Sequence, residues 1–116
     1  MTVSPPLTQG ALQGVRVLDL SDNSCVYGAK VLGDLGADVV RIEPAAGDPM
    51  RAMAPLDSAT GESLFYRFMN TNKRSVALDL SQKADQARFE QLAASADIVF
   101  ALSLFSSFLS DPTITC

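Results

Sequence analysis

The run Asn70–Leu80 holds the most chemically informative residues of this sequence, because it joins a turn rich in amide and guanidinium groups to an apolar strand. Lys73 and Arg74 lie side by side in that turn. Arginine presents a planar fork of donors and lysine a point charge, so both can bind anions. The alternatives are that both are solvated turn residues, or that Arg74 forms a salt bridge within the domain. Asn70 and Asn72 are expected to fix the turn by bonding to nearby backbone.

The composition excludes several kinds of catalytic site. The chain has no histidine, which rules out a Cys-His nucleophile, a His-Asp acid-base pair and a Cys/His metal cluster. No G-x-G-x-x-G follows the first apolar run and no Gly-Lys-Ser/Thr loop occurs, so a dinucleotide-binding domain ranks last among the functions considered. Cys25 and Cys116 lack the dense spacing of a disulfide framework, which favours free thiols.

Length predicts a single domain, and the charge limits the kinds of partner that it can bind. The 116 residues include nine basic and thirteen acidic side chains, and the net charge of -4 argues against nucleic acid or anionic lipid as a partner. No secretory signal is visible at the amino terminus. The longest apolar run, Ile98–Leu109, is interrupted by serines and is too short to span a bilayer. We therefore expect a cytoplasmic protein without a membrane partner.

Four short runs of β-branched and leucine residues predict strands. They are Val15–Leu20, Asp38–Glu43, Ser75–Leu80 and Ile98–Leu102. Their alternation with helices predicts an α/β fold, a Rossmann-like parallel sheet with flanking helices and right-handed crossovers. The segment Pro44–Glu62 shows no clear period, and a loop of that length in a compact domain usually serves a function or contacts a partner.

Three helices are predicted between these strands. Ser24 or Asn23 is expected to cap the first helix, and Gly36 to end it. The apolar face of the first helix is expected to consist of Gly28, Val31, Leu32 and Leu35. The second helix is Ser63–Met69. The third is capped by Ser81 with Asp85 in its first turn, and its apolar face comprises Phe89, Leu92, Ala93 and Ala96.

The loops that follow the strands are the expected place for a ligand. Open α/β sheets bind ligands beyond the carboxyl ends of their strands, where loops and helix amino termini present free N–H groups. Three segments meet this description: Ser21–Cys25, Pro44–Glu62 and Asp79–Lys83.

Three segments together resemble the opening of the family III CoA-transferases, a family that includes formyl-CoA transferases, carnitine CoA-transferases and α-methylacyl-CoA racemases. They are Leu35–Pro44, Gly47–Arg51 and Asn70–Leu80. The resemblance runs from about Leu12 to about Val99, and members of the family are several times longer. It implies a flexible leader at 1–11, a partial CoA-binding Rossmann-like domain at 12–102 and an atypical apolar tail at 103–116.

The resemblance also implies a ligand, coenzyme A, and the residues that contact it. Lys73 and Arg74 match the family motif and are expected to meet its phosphates. Leu78 falls where the family uses a strand-end leucine beside the adenosine, with a simple core leucine as the alternative. Ser24 and Cys25 occupy the loop on the pantetheine side, although this loop departs from the usual family pattern. No covalently bound cofactor and no metal are implied.

Catalysis in the resembling family uses an aspartate that attacks an acyl-CoA thioester and forms a mixed anhydride. None of the aspartates of this sequence matches that residue, so no catalytic residue is assigned. We expect an amino-terminal fragment of a CoA-transferase, inactive alone, whose intact form is a homodimer acting on acyl-CoA and a carboxylic acid. The alternatives are a racemase-type fragment and a non-enzymatic CoA-binding remnant. Exposed apolar surface is expected around Phe65, Tyr66, Phe68 and the tail Phe105–Leu109.

Overall fold

A computed structural model of the chain describes residues 10–101. Four parallel strands form one sheet in the order β3-β2-β1-β4, which confirms the predicted α/β architecture. The strands are β1 Arg16–Leu20, β2 Asp38–Pro44, β3 Lys73–Leu78 and β4 Ile98–Ala101. The predicted tail 103–116 and most of the predicted leader 1–11 lie outside the described residues.

Helices connect the strands on both faces of the sheet. They are α1 Val26–Asp34, α2 Leu64–Met69 and α3 Lys83–Ala94, with a short 3₁₀ turn at Pro49–Ala52. The apolar core is accordingly divided in two. Val17 and Val39 pack with Ala29 of α1 on one face, whereas Leu18 and Phe89 of α3 belong to the core on the other. Successive side chains of a strand point to opposite faces, so β1 and β2 contribute to both cores.

The buried face of α3 agrees with the prediction, and that of α1 agrees only in part. Phe89 is 1% exposed, and Leu92, Ala93 and Ala96 pack against the same core. In α1 the buried residues are Val26, Ala29, Lys30 and Gly33. Of the predicted face, Leu32 packs against the core as expected, whereas Val31 and Leu35 are exposed.

The predicted helix caps need correction at two places. Cys25 precedes α1 without a side-chain cap, and Ser24 instead donates its hydroxyl to Asp22 Oδ1. Gln82 precedes α3, while Ser81 donates to Asp79. In both places an aspartate two residues before the serine accepts its hydrogen bonds, as expected for a tight Asx turn. Ser63 does cap α2, by accepting a hydrogen bond from Tyr66 N.

Strand β3 begins two residues earlier than predicted, at Lys73 rather than Ser75. Asn72 has a φ of 65°, a left-handed conformation that asparagine tolerates better than most residues. This residue reverses the chain after α2, so that Lys73 already lies in register with Val39. Two cationic residues thus become part of an edge strand and leave the turn.

Candidate functional site

A cleft of about 780 Å³ opens at the carboxyl ends of β1, β2 and β3. Each of the three loops predicted to contact a ligand contributes to its wall. The contributions are Ser21–Asn23 after β1, Ala45–Met53 in part after β2, and Asp79 with Leu80 after β3. The volume lies in the range typical of pockets for small molecules and cofactors.

The cleft has an apolar floor and an acidic rim. Leu20, Ile42 and Leu78 form part of the floor at the strand ends, and Met50 is 3% exposed beside them. On the rim, hydrogen bonds from the Ser24 side chain and backbone lower the pKa of Asp22. Those from Ser81 lower the pKa of Asp79 in the same way. Both rim carboxylates are therefore charged at neutral pH, while the floor suits a flat or aliphatic group.

Behind the cleft wall, Arg41 is buried between two carboxylates. Its Nη1 lies 3.0 Å from Asp19 Oδ2, and its Nε lies 2.8 Å from Asp48 Oδ2. Nη2 also donates to Ser21 O at 3.0 Å, and the arginine side chain is only 4% exposed. Burial alone would lower the pKa of Arg41, but Asp19 and Asp48 outweigh it and raise the pKa. The guanidinium thereby ties the loops after β1 and β2 together.

Lys73 completes this cluster from β3. Its Nζ lies 2.7 Å from Asp19 Oδ2 and 3.2 Å from both Val26 O and Asn70 Oδ1. Burial lowers the pKa of Lys73, and its side chain is 1% exposed. An ammonium group has three donors, and all three have partners inside the protein. In this arrangement Lys73 has no donor left for a phosphate.

A second ionic cluster, centred on Glu43, lies two residues further along β2 than Arg41. Arg51 binds Glu43 with two hydrogen bonds, Nε at 3.0 Å and Nη2 at 2.7 Å, and stacks 4.2 Å from the Tyr66 ring centre. Ser75 donates to Glu43 at 2.6 Å, and the Tyr66 hydroxyl also donates to it. The hydrogen bonds from Arg51 are the main reason that the pKa of Glu43 falls to about 2. Burial raises the pKa of Tyr66 to about 12.

The structure separates the residues that the sequence placed in one site. The Arg74 side chain is 65% exposed and makes a two-point contact with Asp38, at 3.0 and 2.7 Å. It lies near the start of β3, about 13 Å along the strand from Leu78 at a rise of roughly 3.3 Å per residue. Leu78 is 3% exposed and lines the cleft. Ser24 and Cys25 follow the β1 loop immediately beyond the lining residue Asn23.

The buried ion pair between Arg41 and Asp19 was not predicted from the sequence. A signal was present in the alternation of each strand. Asp19 lies two residues after Val17, and Arg41 two residues after Val39, so both charges share a face with buried valines. A charge on the buried face of a strand needs a partner on a neighbouring strand.

Residues 10–101 were also predicted to hold neither a metal site nor a membrane-spanning segment. That part of the chain contains no group of three or more residues able to hold a metal ion. None of its helices has the length and apolar character needed to cross a membrane.

Comparison with known proteins identifies a family that this chain matches. Residues 12–102 match the model of CoA-transferase family III. A probable CoA-transferase of Mycobacterium tuberculosis is 44% identical over 87 residues, which make up 72% of this chain and 11% of that protein. The succinyl-CoA:mesaconate CoA-transferase of Haloarcula hispanica is 38% identical over 94 residues, or 78% of this chain and 24% of that protein.

Solved structures give the same result for the fold. A CAIB/BAIF family protein from Brucella suis superposes with a TM-score of 0.76 at 25% identity, over 90% of this chain and 29% of that one. The Rv3272 protein of M. tuberculosis superposes with a TM-score of 0.70 at 30% identity, again over 90% and 29%. The chain thus spans less than a third of these structures and about a quarter or less of the two curated relatives.

Proposed function

This chain belongs to CoA-transferase family III, and from that membership we propose that it forms the coenzyme A-binding part of an enzyme that moves CoA between carboxylic acids. The observation that carries the proposal is the cleft at the carboxyl ends of β1–β3, with Leu78 in its floor. Its apolar floor suits the adenine ring or the pantetheine chain. We further propose that Ser24 and Cys25 flank the pantetheine side, since they follow the β1 loop that forms one wall.

The reaction that we propose for the whole enzyme passes through an anhydride. An enzyme aspartate attacks the thioester carbonyl, the C–S bond breaks, and CoA leaves as a thiolate. The thiolate then attacks the aspartyl carbonyl of the anhydride, which releases the first acid and leaves an enzyme-CoA thioester for the acceptor carboxylate. We assign the attacking carboxylate to no residue of this chain. Asp19 and Asp48, for example, are already held by the buried Arg41.

The racemase alternative receives less support than transfer. The two curated relatives described above are both named as CoA-transferases. We expect the purified 116-residue chain to bind CoA without turning over acyl-CoA. Formation of succinyl-CoA from acetyl-CoA and succinate, followed by liquid chromatography, would contradict that expectation.

Arg74 stays a proposed phosphate contact, but one at the other end of β3 from the cleft. Its exposed guanidinium would have to exchange Asp38 for phosphate. An Arg74→Gln variant tests this more cleanly than a change at Lys73, because Lys73 belongs to the buried cluster. Unchanged CoA affinity in Arg74→Gln would remove this residue from the site.

An NMR titration of the ¹⁵N-labelled chain with CoA tests where the ligand binds. We expect the largest amide shifts at Ser21–Asn23 and at Leu78–Leu80. Ala46→Trp, which fills the cleft from an exposed lining position, should abolish these shifts. Ala87→Trp adds the same ring at an exposed position of α3 and should leave them intact. Shifts that are confined to other surfaces, or that survive in Ala46→Trp, would refute the cleft as the CoA site.

A further inference from the structure

We propose that Lys83, a residue outside the site assigned above, meets a phosphate of the CoA bound in the cleft. This inference rests on the proposed function and adds the cation that recognises the charged end of the ligand. All nine basic side chains of the sequence lie in the described part of the chain.

Eight of the nine basic residues are already committed to acidic partners within residues 10–101. They are Arg16, Lys30, Arg41, Arg51, Arg67, Lys73, Arg74 and Arg88. Lys83 is the remaining one, and in the described part of the chain its ammonium forms neither an ion pair nor a hydrogen bond. A phosphate contact by this lysine therefore breaks no existing interaction.

Lys83 also lies beside the cleft. It is the first residue of α3 and comes three residues after Leu80, which lines the wall. Two hydrogen bonds hold this wall segment against the first turn of α3. Asp79 N donates to Asp85 Oδ2 at 2.8 Å, and Gln86 Nε2 donates to Leu80 O at 2.8 Å. These bonds tie the first turn of α3, in which Lys83 lies, to the cleft wall, and the lysine is exposed with a flexible four-carbon stem.

The charge of the cleft explains why this cation matters. Asp22 and Asp79 make the rim negative, which by itself repels a phosphorylated ligand. Arg41 lines the cleft but is buried and balanced by two carboxylates. Asp22 and Asp79 each accept two hydrogen bonds from the serine two residues later, so neither of these carboxylates can itself attract a phosphate. A cation without an acidic partner, such as Lys83, offsets this negative charge.

The test compares two ligands and two variants. The full chain is titrated by NMR with CoA and with pantetheine, which lacks all phosphates. Lys83→Gln removes the proposed contact. Arg88→Gln makes the same change of charge one turn and a half further along α3, at a side chain that is 70% exposed. We expect Lys83→Gln to weaken CoA binding about three- to tenfold and to leave pantetheine binding unchanged, as for one exposed charge-assisted contact.

The outcomes separate this inference from the proposed function. Equal CoA affinity in wild type and Lys83→Gln overturns the role of Lys83, while the cleft still stands as the CoA site. An equal loss of CoA affinity in Arg88→Gln also overturns it, since only net charge would then matter. If neither CoA nor pantetheine shifts the cleft amides of the wild-type chain, both the proposed function and the role of Lys83 fail.

Discussion

Removing the buried guanidinium of Arg41 should destabilise the chain more than any other change of a single charge described above. Arg41→Met keeps most of the volume and the unbranched shape but deletes every donor. Asp48, whose side chain is 3% exposed, would keep only the hydrogen bond from Met50 N. Asp19 would still have Lys73 and Ser21. One carboxylate is thereby left in the interior without a cation.

The loss of unfolding free energy in Arg41→Met follows from the burial of Asp48. Breaking a buried ion pair by removing one partner costs about 3–5 kcal/mol, because the remaining charge has lost both water and its counterion. Total stabilities of small domains are about 5–15 kcal/mol. We therefore expect Arg41→Met to lose about 3–5 kcal/mol of unfolding free energy. Lys73→Met should lose less, since Asp19 keeps Arg41.

Urea denaturation followed by circular dichroism measures this loss. With a slope of about 1–3 kcal/mol per molar urea, the midpoint of Arg41→Met should fall by more than about 1 M. Arg16→Met is the matched control, because Arg16 pairs with Asp38 at a side chain that is 36% exposed and should cost at most about 1 kcal/mol. Equal midpoints for Arg41→Met and Arg16→Met would show that the buried cluster does not contribute as argued.

Three further predictions concern pH and packing. The pKa of Glu43 is about 2 in the fold, chiefly because of Arg51, against 4.5 for an ordinary glutamate. Its contribution, up to about 3 kcal/mol, is thus complete above pH 4.5 and lost as the pH falls towards 2. Glu43→Gln should flatten urea midpoints measured over that range, and an unchanged slope would contradict this. Absorbance at 295 nm should show a tyrosine titrating near pH 12 that disappears in Tyr66→Phe; its persistence in the variant would assign it elsewhere. Gly28→Ala should destabilise by about 1–3 kcal/mol, because a Cβ would lie 2.7 Å from the β4 phenylalanine ring. The control Gly33→Ala meets only a contact of 3.4 Å and should gain helix stability, so thermal melts that rank the two the other way would refute this packing.

Much of the architecture could be predicted from the sequence, because secondary structure follows local patterns. Short runs of β-branched and leucine residues located the four strands, and the spacing of Phe89, Leu92, Ala93 and Ala96 identified the buried face of α3. The buried faces of elements with a weaker apolar period were harder to predict from the sequence. The face of α1 was predicted only in part, because its buried side includes the small Ala29 and Gly33 and the charged Lys30, whose apolar signal is weaker than that of Val31 and Leu35.

The sequence by itself determined the family, the parallel sheet and the loops that surround a cleft. Only the tertiary structure decided which charges are free to meet a ligand. Lys73 looked like a surface cation, yet its partners lie 54, 47 and 3 positions away in sequence and all three converge on one ammonium. Lys83 was not singled out from the sequence, yet within residues 10–101 it is the basic side chain that has no acidic partner. The pairing of a long side chain depends on which strands become neighbours, and no local pattern contains that information.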